Sequence, residues 1–371
     1  MNGSTHARPE RLVLMNPGPV ITDDRVRKAL SGPDMCHREP EFSGLLTRVR
    51  HKITLICGGD ERHTSVVLTG SGTAAVEAAI SSAVPRDGAL LVIDNGHYGE
   101  RMWHIADAHG IRAHRLELGW ATPVDLDAVD RALAVDPGLT HVGVVHHETS
   151  SGMLNDVAAV TRIAHAHGRE VILDAVSSVG AERIGLAEDG IDWLAGSANK
   201  CLEAAPGLGF VSAAKAAFEN LADAPRRTYY LDLYRHHTAQ EKSQAPAFTP
   251  GIPAFYAFDA ALDLALAEGQ DARHARYSAL ARRLRDGLDA LGLEILLPPG
   301  QRAASLTAVR LPAGTGYPEL HRGLRKEGFV IYSAQEQLAA DFFRLSTMGR
   351  MTEQDIDRFL ETLARTLPNR G

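Results

Sequence analysis

Lys200 and Asp174 are the residues of this sequence whose types can combine in covalent and electrostatic catalysis. A lysine amine attacks a carbonyl carbon to form a Schiff base, and once freed it carries a proton. A carboxylate facing a buried ring nitrogen keeps a pyridinium protonated and makes the ring an electron sink. Asp174 closes the apolar run Val171-Ile-Leu-Asp174, at the carboxyl end of an expected strand, where open α/β sheets bind ligands. Lys200 ends Gly196-Ser197-Ala198-Asn199-Lys200, just after the short apolar run Trp193–Ala195. Each has a plainer reading alone, the aspartate as a turn cap and the lysine as a surface charge. The pair asks for a cofactor.

About 100 residues upstream, Thr69-Gly70-Ser71-Gly72-Thr73 lies between an expected strand and an expected helix. Its glycines let the backbone approach a phosphate, and the helix N-terminus supplies unpaired N–H groups and a favourable dipole. The Gly-Lys-Ser/Thr ending of a Walker loop is absent. The spacing Gly70-x-Gly72-x-x-Ala75, with Asp94 ending the next strand, also satisfies a dinucleotide fold, so the loop alone leaves NAD(P) open. A dinucleotide leaves Asp174 and Lys200 without a task. With all three features, pyridoxal phosphate is the better explanation.

The segment His146-His147-Glu148-Thr149-Ser150-Ser151-Gly152 follows another apolar run. Strand periodicity places His146 and His147 on opposite faces, and no His-x-x-x-His helix accompanies them or His141, so no metal site is expected. The hydroxyl of Thr149 is better suited to meet the ring hydroxyl of a pyridine cofactor. Three scattered cysteines, Cys36, Cys57 and Cys201, fit neither a disulfide framework nor a metal cluster. All three precede residue 202, which argues against a desulfurase that needs a mobile C-terminal cysteine. A formal charge of −7 argues against nucleic acid or an anionic membrane as partner, and Arg282-Arg283-Arg285 and Arg322-Arg325-Lys326 read as solvated helix faces. The N-terminus lacks the apolar run of a signal peptide, and no stretch could span a bilayer. A cytoplasmic enzyme is expected.

Positioning these residues requires alternating strands and helices. Thr64–Thr69, Ala89–Asp94, Val142–His147 and Glu170–Asp174 read as buried strands, and Thr73–Val84, Tyr98–His109 and Val157–His167 as helices. That repetition predicts a mostly parallel seven-stranded sheet covered by helices, an α/β fold over residues 16–255. Residues 256–371 predict a smaller α+β domain, with residues 1–15 as an N-terminal segment. The long helix near 254–268 is expected to bridge the two, followed by a helix over Ala272–Leu291. Strand-like runs then cover Glu294–Leu297, Leu306–Leu311, Phe329–Tyr332 and Phe342–Leu345, before a helix opened by the capping box Thr352-x-x-Asp355.

Together these residues resemble the class V aminotransferases of fold type I, nearly end to end. The likeness is carried by Asn16-Pro-Gly-Pro19, Thr69-Gly-Ser-Gly-Thr73, Asn95-Gly-His-Tyr-Gly-Glu-Arg101 and Leu173-Asp-Ala-Val-Ser-Ser178. Ser197-Ala-Asn-Lys-Cys201 and Leu231-Asp-Leu-Tyr234 are most similar to the aminophosphonate branch. The resemblance implies transamination with pyridoxal 5′-phosphate, from 2-aminoethylphosphonate or a related amine to pyruvate, in a homodimer with shared active sites. It implies Lys200 as the Schiff-base lysine and Asp174 at the pyridine nitrogen. Ser71, Gly72 and Thr73 would hold the phosphate, Tyr98 would stack on the ring, and Thr149 would lie by its phenolic oxygen. Thr249 would reach the phosphate from the neighbouring subunit. Arg344 and Gly18 would hold the substrate. Two segments differ from that branch: Cys36-His-Arg-Glu-Pro-Glu-Phe42 is worded more like the alanine–glyoxylate and serine–pyruvate enzymes, and Ser333-Ala-Gln335 stands where the branch has Pro-Gly-Lys. A transaminase acting on alanine or serine and glyoxylate is the alternative.

Overall fold

The computed structural model describes residues 12–367. Seven strands form the central sheet: β1 (His63–Thr69), β2 (Ala89–Asp94), β3 (Arg112–Glu117), β4 (Leu139–Val145), β5 (Glu170–Asp174), β6 (Trp193–Ser197) and β7 (Leu208–Ala214). Their spatial order is β1-β7-β6-β5-β4-β2-β3. β7 runs antiparallel to both neighbours, and the other pairs are parallel. This is the expected mostly parallel α/β sheet.

Period-2 alternation divides the strand residues between two apolar layers. Leu91 and Ile93 of β2 join Val142, Val144, Val171 and Leu173 on one face, while Leu90 and Val92 join Val66, Leu68 and Ile172 on the other. Helices cover both faces, so every residue of β2 and of β6 is buried. β3 is the exception. It lies at one edge, and Arg-Ala-His-Arg-Leu-Glu carries no apolar run that the sequence could announce. The expected strand over Val142–His147 starts earlier, at Leu139, and ends at Val145.

The opposite edge, β1, leads directly into the loop Thr69–Ser71, and its outward backbone groups are covered. Gln240, in the helix Leu233–Lys242, donates its amide to the Val67 carbonyl at 2.7 Å and accepts the Val67 N–H at 3.0 Å. Arg50, in the helix Pro40–Ile56, donates Nε to the Ser65 carbonyl at 2.7 Å. Side chains thus continue the ladder where no further strand lies, which blunts an edge that would otherwise pair with another chain.

The helix Ile252–Glu268 buries Phe255, Phe258 and Leu262 in one of the sheet's apolar layers, and the chain leaves it at Gly269, with φ of +80°. Beyond it, Leu280, Leu284, Leu320, Phe343, Ile356 and Phe359 form a separate cluster that also takes Val13 and Met15. Here the expected strand over Phe329–Tyr332 divides at Ile331. Phe329–Val330 pairs in parallel with Val13–Leu14, whereas Tyr332–Ser333 pairs with Phe343 and Arg344 of the strand Phe342–Ser346. Glu294–Leu297 forms no strand, only a bridge from Ile295 to Val309. Thr352 and Asp355 make the expected capping box. Arg282, Arg283, Arg322, Arg325 and Lys326 are exposed as expected, but Arg285 is not on a solvated face. It turns inward to donate to Thr307 Oγ1 and to the carbonyls of Ala303 and Leu306. Among the described residues no helix is long and apolar enough to cross a membrane.

Replacing Gln240 with Leu would strand a buried N–H and C=O of β1, at a cost of roughly 2–5 kcal/mol. The expected result is a melting temperature several degrees below the parent's. A melting curve that superimposes on the parent's would show that the edge needs no such cover.

Candidate active site

The carboxyl ends of β1, β5 and β6 converge on the first turn of helix α1 (Gly72–Ala83). Ser71 caps that helix, its hydroxyl accepting the Ala74 N–H at 3.3 Å. Packing there admits no side chain at residue 72, because a Cβ on Gly72 would lie 2.7 Å from Val176 Cγ1 and 3.2 Å from Ser197 Cβ. The helix N-terminus is therefore pressed against the residues that follow Asp174 and precede Lys200. Thr73 Oγ1 accepts from Arg101 Nη1 at 3.1 Å, and the Arg101 guanidinium lies 4.5 Å from the centre of the Tyr98 ring. Ser71, Gly72, Thr73 and Tyr98 are thus brought together by two helix N-termini, that of α1 and that of α2 (His97–Ala108).

Asp174 is buried at the end of β5, with Oδ1 accepting the Val176 N–H at 3.0 Å. Burial pushes its pKa up to about 6, against the opposing pull of that bond and the charges of Arg101 and Lys200. Burial likewise holds the Lys200 amine below its ordinary range, and the Arg344 charge adds to the effect. Lys200 Nζ donates to the Pro17 carbonyl. Gly18 lies against the same side chain: at φ of +107°, a Cβ there would sit 2.9 Å from Lys200 Cδ and 3.3 Å from Nζ. The segment Asn16–Pro19 therefore roofs the lysine, which gives Gly18 a physical reason to be glycine.

Thr149 Oγ1 and Ser197 Oγ are buried with no hydrogen-bond partner among the described residues. The Thr149 carbonyl accepts from Arg344 Nη1 at 3.1 Å. Arg344 is 5% exposed, and its guanidinium also bonds the Ser333 carbonyl and Gln335 Oε1, each at 3.0 Å. Thr249 is exposed and makes no hydrogen bond within the described chain, although Gly251, two residues on, donates its N–H to Thr69 Oγ1 at 3.0 Å. It lines a cavity of about 690 Å³ with His37, Arg38 and Phe248.

Glu148 is a residue of this site that the sequence reading passed over. Its fully buried carboxylate accepts the N–H groups of Tyr98 (3.0 Å), Gly99 (3.3 Å) and Ser150 (3.1 Å), and the Ser150 hydroxyl at 2.6 Å. It caps α2 from another strand, since the helix's own N-cap is Gly96, which has no side chain to do so. Burial still pushes its pKa up to about 7. The one available signal was an acid placed three residues after an apolar strand.

His146 and His147 are both buried, and burial holds them to about 4 and about 3. Among the described residues the grouping with metal-ligand spacing is His97, Glu100 and Glu336, whose ligand atoms lie within 4.8 Å of one another. Two of these are already engaged, His97 Nε2 by Arg101 at 2.9 Å and Glu100 by Arg115 at 3.0 Å.

The Asp174 carboxyl titrates near 3.8 when unfolded and at about 6 when folded. Between those values the folded chain keeps a proton that the unfolded chain has released, so stability falls as pH rises through that window and stays lower above it. The loss is on the order of 3 kcal/mol. Asp174→Asn, close in shape and always neutral, is therefore expected to melt higher than the ligand-free parent at pH 7.5 and no higher at pH 4. An equal or lower melting temperature at pH 7.5 would show that the carboxylate is not under strain.

The family model described as aminotransferase class-V matches residues 27–359. A 2-aminoethylphosphonate–pyruvate transaminase of Vibrio vulnificus (strain CMCP6) is 38% identical over 362 residues, covering 96% of this chain and 97% of the relative. That of Syntrophobacter fumaroxidans is 38% identical over 353 residues, 94% of each. The crystal structure of pyridoxamine–pyruvate aminotransferase from Mesorhizobium loti superposes with a TM-score of 0.90 at 27% identity, over 99% of this chain and 94% of that one. On the family match and these near-full-length relatives, the chain belongs to the class V aminotransferases and is an aminotransferase.

Proposed function

We propose that this enzyme moves the amino group of 2-aminoethylphosphonate, or a closely related aminophosphonate, to pyruvate, giving phosphonoacetaldehyde and alanine. The relatives named above support that donor. The observation that carries the reading is the convergence of a part-buried amine, a buried acid and a buried guanidinium that, among the described residues, no carboxylate pairs. Groups displaced in this way and left without a countercharge gather where a ligand completes them.

Pyridoxal 5′-phosphate is the cofactor in this reading, and the residues fit it. Ser71, Gly72 and Thr73 at the α1 N-terminus take the phosphate, at a helix end that Gly72 lets pack against Val176 and Ser197. Asp174 holds the ring nitrogen, Tyr98 lies on the ring, and the unpartnered hydroxyl of Thr149 serves the phenolic oxygen. Thr249, exposed at the surface, reaches the phosphate of a neighbouring subunit, so a homodimer is part of the proposal. The division near residue 255 into a cofactor-bearing domain and a smaller C-terminal one belongs to it too, as does a reducing cytoplasm, which the three free cysteines fit. When bound, the cofactor supplies an electron sink for the bond that is broken at the amine-bearing carbon.

The chain's own residues supply positioning and proton transfer. Lys200 Nζ, kept towards its neutral form by burial and the Arg344 charge, would take the proton from the amine-bearing carbon and return it to the carbon on the far side of the amine nitrogen. Asp174 ionises beside a cationic partner, which offsets the burial that raises its pKa. Arg344 holds the acid group of amino donor and keto acceptor in turn, since a planar guanidinium suits either a carboxylate or a phosphonate. The roof of Asn16–Pro19 keeps water from the lysine.

An absorbance spectrum of the purified protein tests the reading. The parent is expected to show a band at roughly 400 nm that moves to roughly 330 nm with 2-aminoethylphosphonate. A band that responds to alanine alone would move the donor to another amine, and no band after pyridoxal phosphate is supplied would overturn the cofactor. Lys200→Ala is expected to lower turnover by roughly 10²–10⁴-fold and to abolish the longer-wavelength band. Persistence of both would remove Lys200 from its role.

A further inference from the structure

Arg344 is held by three oxygens, and none of them is charged. Nε donates to the Ser333 carbonyl, while Nη1 donates to the Thr149 carbonyl and to Gln335 Oε1. Nη2 makes no hydrogen bond among the described residues. Most buried arginines are neutralised by an acid, as Arg273 is here by Glu203 and Glu268. Arg344 instead keeps its full charge in a site that is 5% exposed, with its plane fixed and one nitrogen unused. That arrangement is a receptor for an anion.

The side chain that completes it comes from a tethered loop. Ser333 pairs with Phe343 on the strand that carries Arg344, Gln335 follows in extended backbone, and a single turn spans Glu336–Leu338. Glu336 has φ of +43°, a conformation costing a non-glycine residue on the order of 1 kcal/mol and kept where the surroundings impose it. Its carboxylate lies 2.9 Å from His97 Nδ1. His97 precedes Tyr98, and its Nε2 accepts from Arg101, while its Nδ1 makes no hydrogen bond among the described residues. The loop is thus paired on one side to the strand of Arg344 and lies on the other against the N-terminus of α2. Gln335, between these contacts, has little freedom to leave the guanidinium.

We propose that Gln335 is a positioning residue that sets affinity for the substrate's acid group, by orienting Arg344 through a neutral acceptor and so leaving its charge for the substrate. Rigidity alone would be served as well by a glutamate, which has the same reach and a stronger hydrogen bond. A glutamate would also cancel the charge the substrate must find. The amide satisfies the geometry without competing for the electrostatics. This inference rests on the reading of Arg344 as the substrate's anchor. It extends to any small amine or keto acid with one anionic head, whether phosphonate or carboxylate.

Two variants of the full-length enzyme test it. Gln335→Glu keeps the shape and adds the charge, and Gln335→Leu keeps most of the volume and removes the acceptor. Calorimetric titration with pyruvate and with methylphosphonate, neither of which carries an amine to react, reads anion binding without turnover. The dissociation constant for each is expected to weaken by tenfold or more in Gln335→Glu and by several-fold in Gln335→Leu. In steady-state assays the KM values for donor and acceptor should rise by similar factors, while kcat at saturation stays within about threefold of the parent. Weakening for one probe alone would assign Gln335 to that head group. Parent-like constants for both probes in Gln335→Glu would overturn the proposal, and so would a fall in kcat and melting temperature with KM unmoved, because a merely structural loop behaves that way. Failure of the functional reading looks different: the parent itself would not transaminate 2-aminoethylphosphonate.

Discussion

The architecture is organised around the cost of keeping ionisable groups dry. Asp174, Glu148, Lys200 and Arg344 all have pKa values displaced towards their neutral forms by burial. In water each would be charged at neutral pH at no expense. Placed together at the carboxyl ends of β5 and β6, on the loop after β4 and on the facing C-terminal strand, they are charges the fold cannot itself neutralise. The apolar layers on both faces of the sheet, and the third cluster beneath Arg344, must hold these groups in place against that cost. A site of this kind is stabilised by what it binds, and so the groups that make the chain reactive also make its ligand-free form less stable.

Position is enforced by close approach more than by bonds to the reacting groups. Gly72 lets α1 reach Val176 and Ser197, and Gly18 lets the N-terminal segment lie on Lys200. Gly209 of β7 does the same for the loop, since a Cβ there would lie 2.6 Å from the Ser71 carbonyl. Interiors packed to crystal-like density transmit such contacts with little give. The turn at Ser71–Thr73, Asp174 and Lys200 are therefore one rigid unit. Arg344 belongs to another, and it joins the first through the Thr149 carbonyl and the Glu336–His97 pair.

Much of the first unit was legible in the sequence, and for a physical reason. A strand that ends in an acid, a loop of alternating glycines before a helix and a lysine after a short apolar run are local patterns, each readable within a dozen residues. β2 and β5 were evident as buried runs for the same reason. What escaped was non-local or polar. β3 lies at an edge and reads as charged, and Phe329–Tyr332 serves two sheets that only the folded chain brings near. Arg285 looked like one of a solvated trio until the Ala303 and Leu306 carbonyls claimed it. Glu148 sits in a segment whose histidines drew attention, yet its partners, Tyr98 and Gly99, are about 50 positions away. No spacing rule connects them.

The same distinction separates the chemistry from the choice of substrate. In the proposed function the chemistry depends on Lys200 and Asp174, whose environment is built by consecutive strands. Choice, in the same proposal, depends on Arg344, whose guanidinium is bonded by Thr149 and Gln335, 195 and 9 positions away along the chain. One contact is local and the other spans the fold, so neither alone fixes the guanidinium. The loop that brings Gln335 also presents Glu336 to His97, next to the aromatic on the ring-binding side. A change in that loop therefore reaches both the anion site and the N-terminus of α2 without touching Lys200. Substrate preference within such a fold can drift by loop substitution while the proton-transfer machinery stays as it is.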